Sequence, residues 1–148
     1  MHTNEHLVTQ VNKIIQTNID RREGYEKAID QIGEPQLKTL FQDCCKQSNE
    51  HINELRQIVI QHGGNPVTDT STAGDLYRIW MDVKSALSVN NTKAVLQSCE
   101  RGEDAALSAY REVATETPGE GTVHHVLKRQ EDGILTMHDR VKTLRDAQ

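Results

Sequence analysis

Residues 99–110 read CERGEDAALSAY, from Cys99 to Tyr110. Two acids, Glu100 and Glu103, stand one helical turn apart, and a run of small residues follows them. The stretch predicts a helix in the middle of a four-helix bundle. Glu103 is expected to lean inward at mid-height, where bundles of this shape often hold metal.

Working outward, Val95, Cys99, Gly102, Ala106, Tyr110 and Val113 recur at three- and four-residue steps, the spacing of one helix face. Caps offered by Asn90, Asn91 and Thr92 start this helix, and Pro118-Gly119 closes it after about Thr117. Downstream, Val123, Val126, Leu127, Gln130, Ile134, Met137, Val141 and Leu144 mark the inner face of a further helix. Upstream, the segment after Gly63-Gly64-Asn65-Pro66 holds a short amphipathic helix from about Ser71 to Ser88, capped by Ser71 or Thr72. Its stripe is Leu76, Ile79, Trp80, Val83 and Leu87, and Trp80 is expected to anchor it across the bundle, with an oligomer contact as the alternative.

Before that lies a helix from about Pro35 to His62 with Leu37, Leu40, Cys44, Ser48, His51, Leu55 and Ile58 inward. The first helix carries Leu7, Val11, Ile14, Asn18, Tyr25, Ile29 and Ile32. Gly33-Glu34-Pro35 joins the two so tightly that they must run antiparallel. Gly33, and at least one of Gly63 and Gly64, are expected to take positive φ at helix ends, because only glycine does so without steric cost. Two hairpins joined by one long crossover is the connectivity of ferritin-like bundles. The fold class is therefore all-α: a ferritin-like four-helix bundle, a single domain over residues 1–148, with a short extra helix in the crossover between the second and third helices.

Composition narrows the function classes. The chain has 148 residues, a net charge of -5 and only 3% aromatics, which fits an aliphatic-cored helical protein. Lys and Arg are scattered, so a nucleic-acid partner is not expected. The N-terminus shows no basic region followed by an apolar run, and no apolar stretch reaches the ~20 residues of a membrane span, which predicts a cytoplasmic protein without a membrane partner. Cys44, Cys45 and Cys99 lack metal-site spacing and read as reduced core thiols, with a redox-sensing vicinal pair as the alternative.

Ferritin-like di-iron proteins take a Glu from each of two helices and a Glu-x-x-His from each of the other two. No histidine here has a carboxylate three residues before it. Counting turns instead places Asn18, Ser48, His51, Glu103 and Gln130 in one inward polar layer, while Asp20, Glu23, Glu50 and Glu100 point away from the stripes. The layer reads first as a structural hydrogen-bond network. A weak mononuclear site, for iron or another divalent metal, is the alternative, using Glu103 and His51 with help from Glu100 or Gln130; solvent exposure is a third reading. Glu103 and His51 are expected to pair directly or through one water, and Tyr25 and Tyr110 to sit at the core boundary with their hydroxyls in water.

EGY at Glu23 to Tyr25, GGNP at Gly63 to Pro66, RIWMDVKSA at Arg78 to Ala86 and CERGEDAALSAY itself resemble the signature of an uncharacterised bacterial family. That family is catalogued as a domain of unknown function within the ferritin-like superfamily, and the resemblance runs from about Leu7 to Asp146. It implies the fold just derived and brings no established activity. Two readings of function follow. One is a non-enzymatic, stress-related helical bundle acting by self-association into a homo-oligomer or by partner binding, with no cofactor. The other is a metal-binding or oxidative-defence protein. Hydrolase signatures such as GxSxG are absent from the sequence.

Overall fold

The computed structural model describes residues 2–69, 75–88, 91–117, 119 and 121–148, with the side chains of residues 2, 3, 75, 76 and 84 left aside. It is all-helical among the described residues: α1 (His2–Ile29), α2 (Pro35–Gln61), α3 (Asp75–Ser88), α4 (Thr92–Glu116) and α5 (Thr122–Asp146). No helix among the described residues is long and apolar enough to cross a membrane.

The four long helices lie side by side in the order α1, α2, α5, α4 around the core, and α3 packs on α1 and α4. Side-chain bonds show that every neighbour is antiparallel. Asn12 reaches Asn65 while Arg22 reaches Asn49; Tyr110 bonds Gln130 while Glu100 bonds Arg145; Asn18 meets Tyr110 while Arg21 meets Glu103. The link from α2 to α4 therefore travels from one end of the array to the other, where Thr92 donates to Glu34 beside the α1–α2 turn.

Local chemistry sets the ends. Gly63 takes φ +79, with its N–H on the Ile60 carbonyl and that of Gly64 on the Val59 carbonyl, the paired bonds of a Schellman cap. Asn91 caps α4 by accepting from the Ala94 N–H. Gly33 departs from expectation, since the positive-φ glycines among the described residues are Gly63 and Gly121. The reason lies on both sides of it. α1 stops at Ile29, earlier than its apolar stripe suggested, and the Gln31 and Ile32 N–H groups both turn back to the Ala28 carbonyl. Glu34 precedes Pro35 and is extended, as a pre-proline residue prefers, so the chain leaves α1 through a turn without a left-handed cap. The caps expected at Ser71, Thr72 and Asn90, the Leu76 side chain and the stop at Pro118 fall outside the described residues.

The core is divided. Val11, Ile14, Leu55, Val59, Leu107, Val113 and Leu127 belong to an aliphatic cluster toward one end. Tyr25, Phe41, Trp80, Cys44, Cys99 and Val141 belong to a second, aromatic and thiol-bearing cluster toward the other. Trp80 enters from α3 into a slot floored by glycines. A Cβ on Gly24 would come within 2.5 Å of its ring, and one on Gly102 within 2.7 Å.

Candidate functional site

Between the two apolar clusters lies a layer of polar side chains. Asn18, Arg21 and Tyr25 follow one another at three- and four-residue steps on α1, which puts all three on its inner face. Ser48 and His51 sit one turn apart on α2, Glu103 and Tyr110 two turns apart on α4, and Gln130 faces them from α5. All eight side chains are buried, His51 being the most exposed at 7%.

The layer has two halves. In the first, the Arg21 and Glu103 side chains are both 0% exposed and form an ion pair, Nε donating to Oε1 at 2.9 Å and to Oε2 at 3.2 Å. Tyr25 donates its hydroxyl to the same carboxylate at 2.5 Å. Arg21 Nη1 donates to Ser48 Oγ at 2.9 Å and approaches the Cys44 carbonyl at 3.5 Å. Burial by itself would pull the Arg21 pKa down, but the neighbouring Glu103 charge and hydrogen bond outweigh it and the net direction is up. Arg21 Nη2 is fully buried with no hydrogen-bond acceptor among the described residues.

The second half is neutral. Asn18 Oδ1 can only accept, so at 3.1 Å the His51 Nδ1 carries the proton and donates to it. Asn18 Nδ2 donates to the Tyr110 hydroxyl at 2.8 Å, Tyr110 donates to Gln130 Oε1 at 2.8 Å, and Gln130 Nε2 donates to Glu54 at 2.9 Å. Every donor in this chain points the same way, from the core toward Glu54 and its partner Arg129. Burial, reinforced by the positive charges of Arg21 and Arg129, pulls His51 down to about 3. It is a neutral imidazole at physiological pH.

Several sequence expectations are corrected here. Glu103 makes no direct hydrogen bond to His51 among the described residues: its oxygens are held by Arg21 and Tyr25, and His51 turns to Asn18 and Tyr110. Tyr25 and Tyr110 are not at a wet boundary, being 0% and 1% exposed with both hydroxyls inside the layer. Asp20 lies on the side of α1 that faces α3 and is 2% exposed, because α3 covers that side. Glu100 pairs with Arg145 of α5, Glu50 is exposed, and Glu23 is half-buried beside Arg22. Arg21 went unread although a signal was available. The α1 stripe skips from Asn18 to Tyr25, and position 21 fills that gap at the right phase.

Cys44, Cys45 and Cys99 are free and buried. Burial raises all three thiols, Cys44 to about 12 and Cys45 to about 11. Among the described residues, no three His, Cys, Asp or Glu side chains converge to hold a metal ion.

These features define an all-helical protein whose interior centre holds a fixed organic cation on a carboxylate. Residues 6–116 match the family model described as Domain of unknown function (DUF2383), and the chain belongs to that family. The match spans α1 to α4 and so contains Arg21, Tyr25, Ser48 and Glu103, whereas Gln130 on α5 lies beyond it. No match to a curated protein was found.

Proposed function

We propose that this chain is a ferritin-like four-helix bundle in which the Arg21 guanidinium takes the place that metal ions hold beside core carboxylates in metal-bearing bundles of that type. It acts as a non-enzymatic protein through its surface, by self-association or by binding a partner. The observation that supports this reading is the Arg21–Glu103 ion pair with neither side chain exposed. A guanidinium cannot be deprotonated under ordinary conditions, so the carboxylate is neutralised permanently. The residues present fit a di-iron centre poorly, since a cation already stands on Glu103 and Glu100 is engaged by Arg145. Three free thiols agree with a reducing, cytoplasmic setting.

The alternative is a single iron or other divalent ion drawing on Glu103, His51 and Glu100. Metal analysis of protein purified without chelator separates the two. The expected result is less than stoichiometric metal and a thermal midpoint unmoved by added ferrous, manganous or zinc ions. Stoichiometric metal that disappears in Glu103→Gln would overturn the reading.

A further inference from the structure

The aromatic end of the core meets the ion pair at Tyr25. Its hydroxyl donates to Glu103 at 2.5 Å, within the range of roughly 2.5–2.7 Å for an O–H donating to a carboxylate. The same ring meets Trp80 edge to face, with centroids 4.8 Å apart and planes at 60°. Trp80 in turn lines the cleft of about 160 Å³ between α1 and α3, together with Tyr77 and Met81. Two rings in contact therefore connect that cleft to a fully buried phenol.

The two rings differ in what they can do with a proton. The Trp80 indole N–H is buried and has no acceptor among the described residues. An indole that loses an electron there becomes a radical cation with no neighbour to take its proton. Tyr25 has its acceptor in place. Burial, with smaller contributions from Cys44 and Glu103, pushes its pKa well up, so the phenol keeps its proton at rest. Loss of an electron makes a phenol strongly acidic, and the Glu103 oxygen already on the hydroxyl then takes the proton. Tyr110, by contrast, donates to the Gln130 amide oxygen, a far weaker base than a carboxylate.

We infer that Trp80 and Tyr25 form a relay that carries an oxidising equivalent from the α1–α3 cleft to the Tyr25–Glu103 pair. The co-reactant is a one-electron oxidant of the small-radical class, which gains one electron as Trp80 loses one. Tyr25 then passes an electron to Trp80, its O–H bond breaks, and an O–H bond forms on Glu103. The balance is a restored indole, a neutral tyrosyl radical and a carboxylic acid, with one positive charge left on Arg21. An uncompensated buried cation is costly, so Glu103 holds the proton only while Tyr25 is oxidised.

Pulse radiolysis of the full chain with azide radical, which is uncharged and oxidises indole, reads each step by absorbance. Trp80 is the sole tryptophan, so the tryptophan radical signal belongs to it. The expected result is a tryptophan signal whose decay matches the rise of a tyrosyl signal, at a rate independent of protein concentration. The rise should be lost in Tyr25→Phe, kept in Tyr77→Phe and slowed severalfold in heavy water. Tyr25→Phe keeps the ring beside Trp80, and circular dichroism establishes whether it is folded. If it is not, the Tyr77→Phe and heavy-water arms decide, since both leave the core intact. A tryptophan signal that decays in the wild type without a tyrosyl rise would overturn the inference. So would an unchanged rise in folded Tyr25→Phe, loss of the rise in Tyr77→Phe, or an equal rate in heavy water.

Discussion

The Arg21 half of the buried layer is ionic and the His51 half is neutral, although the two are offset by one helical turn on both α1 and α2. In the ionic half, a full charge is cancelled by one specific partner, with the Ser48 hydroxyl on the cation and the Tyr25 hydroxyl on the carboxylate, while Arg21 Nη2 has no acceptor among the described residues. In the neutral half, imidazole, amide and phenol groups each donate to the next, and the series ends on the Glu54 carboxylate. The difference teaches that burial of polar groups can be balanced either by one irreplaceable partner or by a directed series. The two should fail differently.

The largest effect is expected in the ionic half. Glu103→Leu strands the Arg21 charge in the core and should cost about 3–5 kcal/mol in urea denaturation, as for other broken buried pairs. The double variant Arg21→Met with Glu103→Leu should recover most of that loss, since an apolar replacement of a whole buried pair is often neutral. If the single variant costs less than about 1 kcal/mol, a charge threshold of this kind does not exist here.

Acid should act on the other half. His51 has its pKa lowered from 6.5 to about 3 in the folded protein, so between those values the unfolded chain binds a proton that the folded one refuses. Stability is thus full above about pH 6.5 and falls as pH drops toward 3, at about 1.4 kcal/mol per pH unit from this residue. The loss at pH 5 should be about 2 kcal/mol, and His51→Gln should remove that part of the slope. An unchanged slope in the variant would place the acid sensitivity elsewhere.

Tyr110→Phe sharpens the contrast at a smaller scale. It leaves one of the two Asn18 Nδ2 hydrogens without an acceptor, the other staying on the Ile14 carbonyl, and Gln130 Oε1 without a donor, and should cost about 1–2 kcal/mol at neutral pH while leaving the ion pair intact. Cys44 supplies an expected null in stability terms. With its thiol pushed up to about 12, iodoacetamide at pH 8 should label it in denaturant and leave it unmodified in the native protein. Native labelling at the rate of a free thiol would mean that the aromatic end of the core opens.

The long helices were legible because apolar residues at three- and four-residue steps persist through each of them, and the Gly63-Gly64 stop was legible because glycine tolerates the conformation required there. Two kinds of residue were not. Arg21 occupies an apolar phase, and periodicity discounts a charged side chain there unless a partner is already known; that partner, Glu103, lies 82 residues away. Asp20 is buried by α3, so its environment is decided by where the crossover lands, which the sequence of α1 does not encode. The hydroxyls of Tyr25 and Tyr110 were misassigned for the first of these reasons, since their acceptors come from other helices.

The Trp80 slot has a consequence for how the chain assembles. Its walls, Gly24 and Gly102, come from helices far apart in sequence, so the slot exists only after α1 and α4 have met. The crossover helix therefore has nothing to grip until the long helices are aligned, and its docking belongs to the end of the folding reaction. Helical signal in stopped-flow refolding should rise first, with the tryptophan signal trailing it. The crossover helix would then also be the first segment to leave when the protein begins to open.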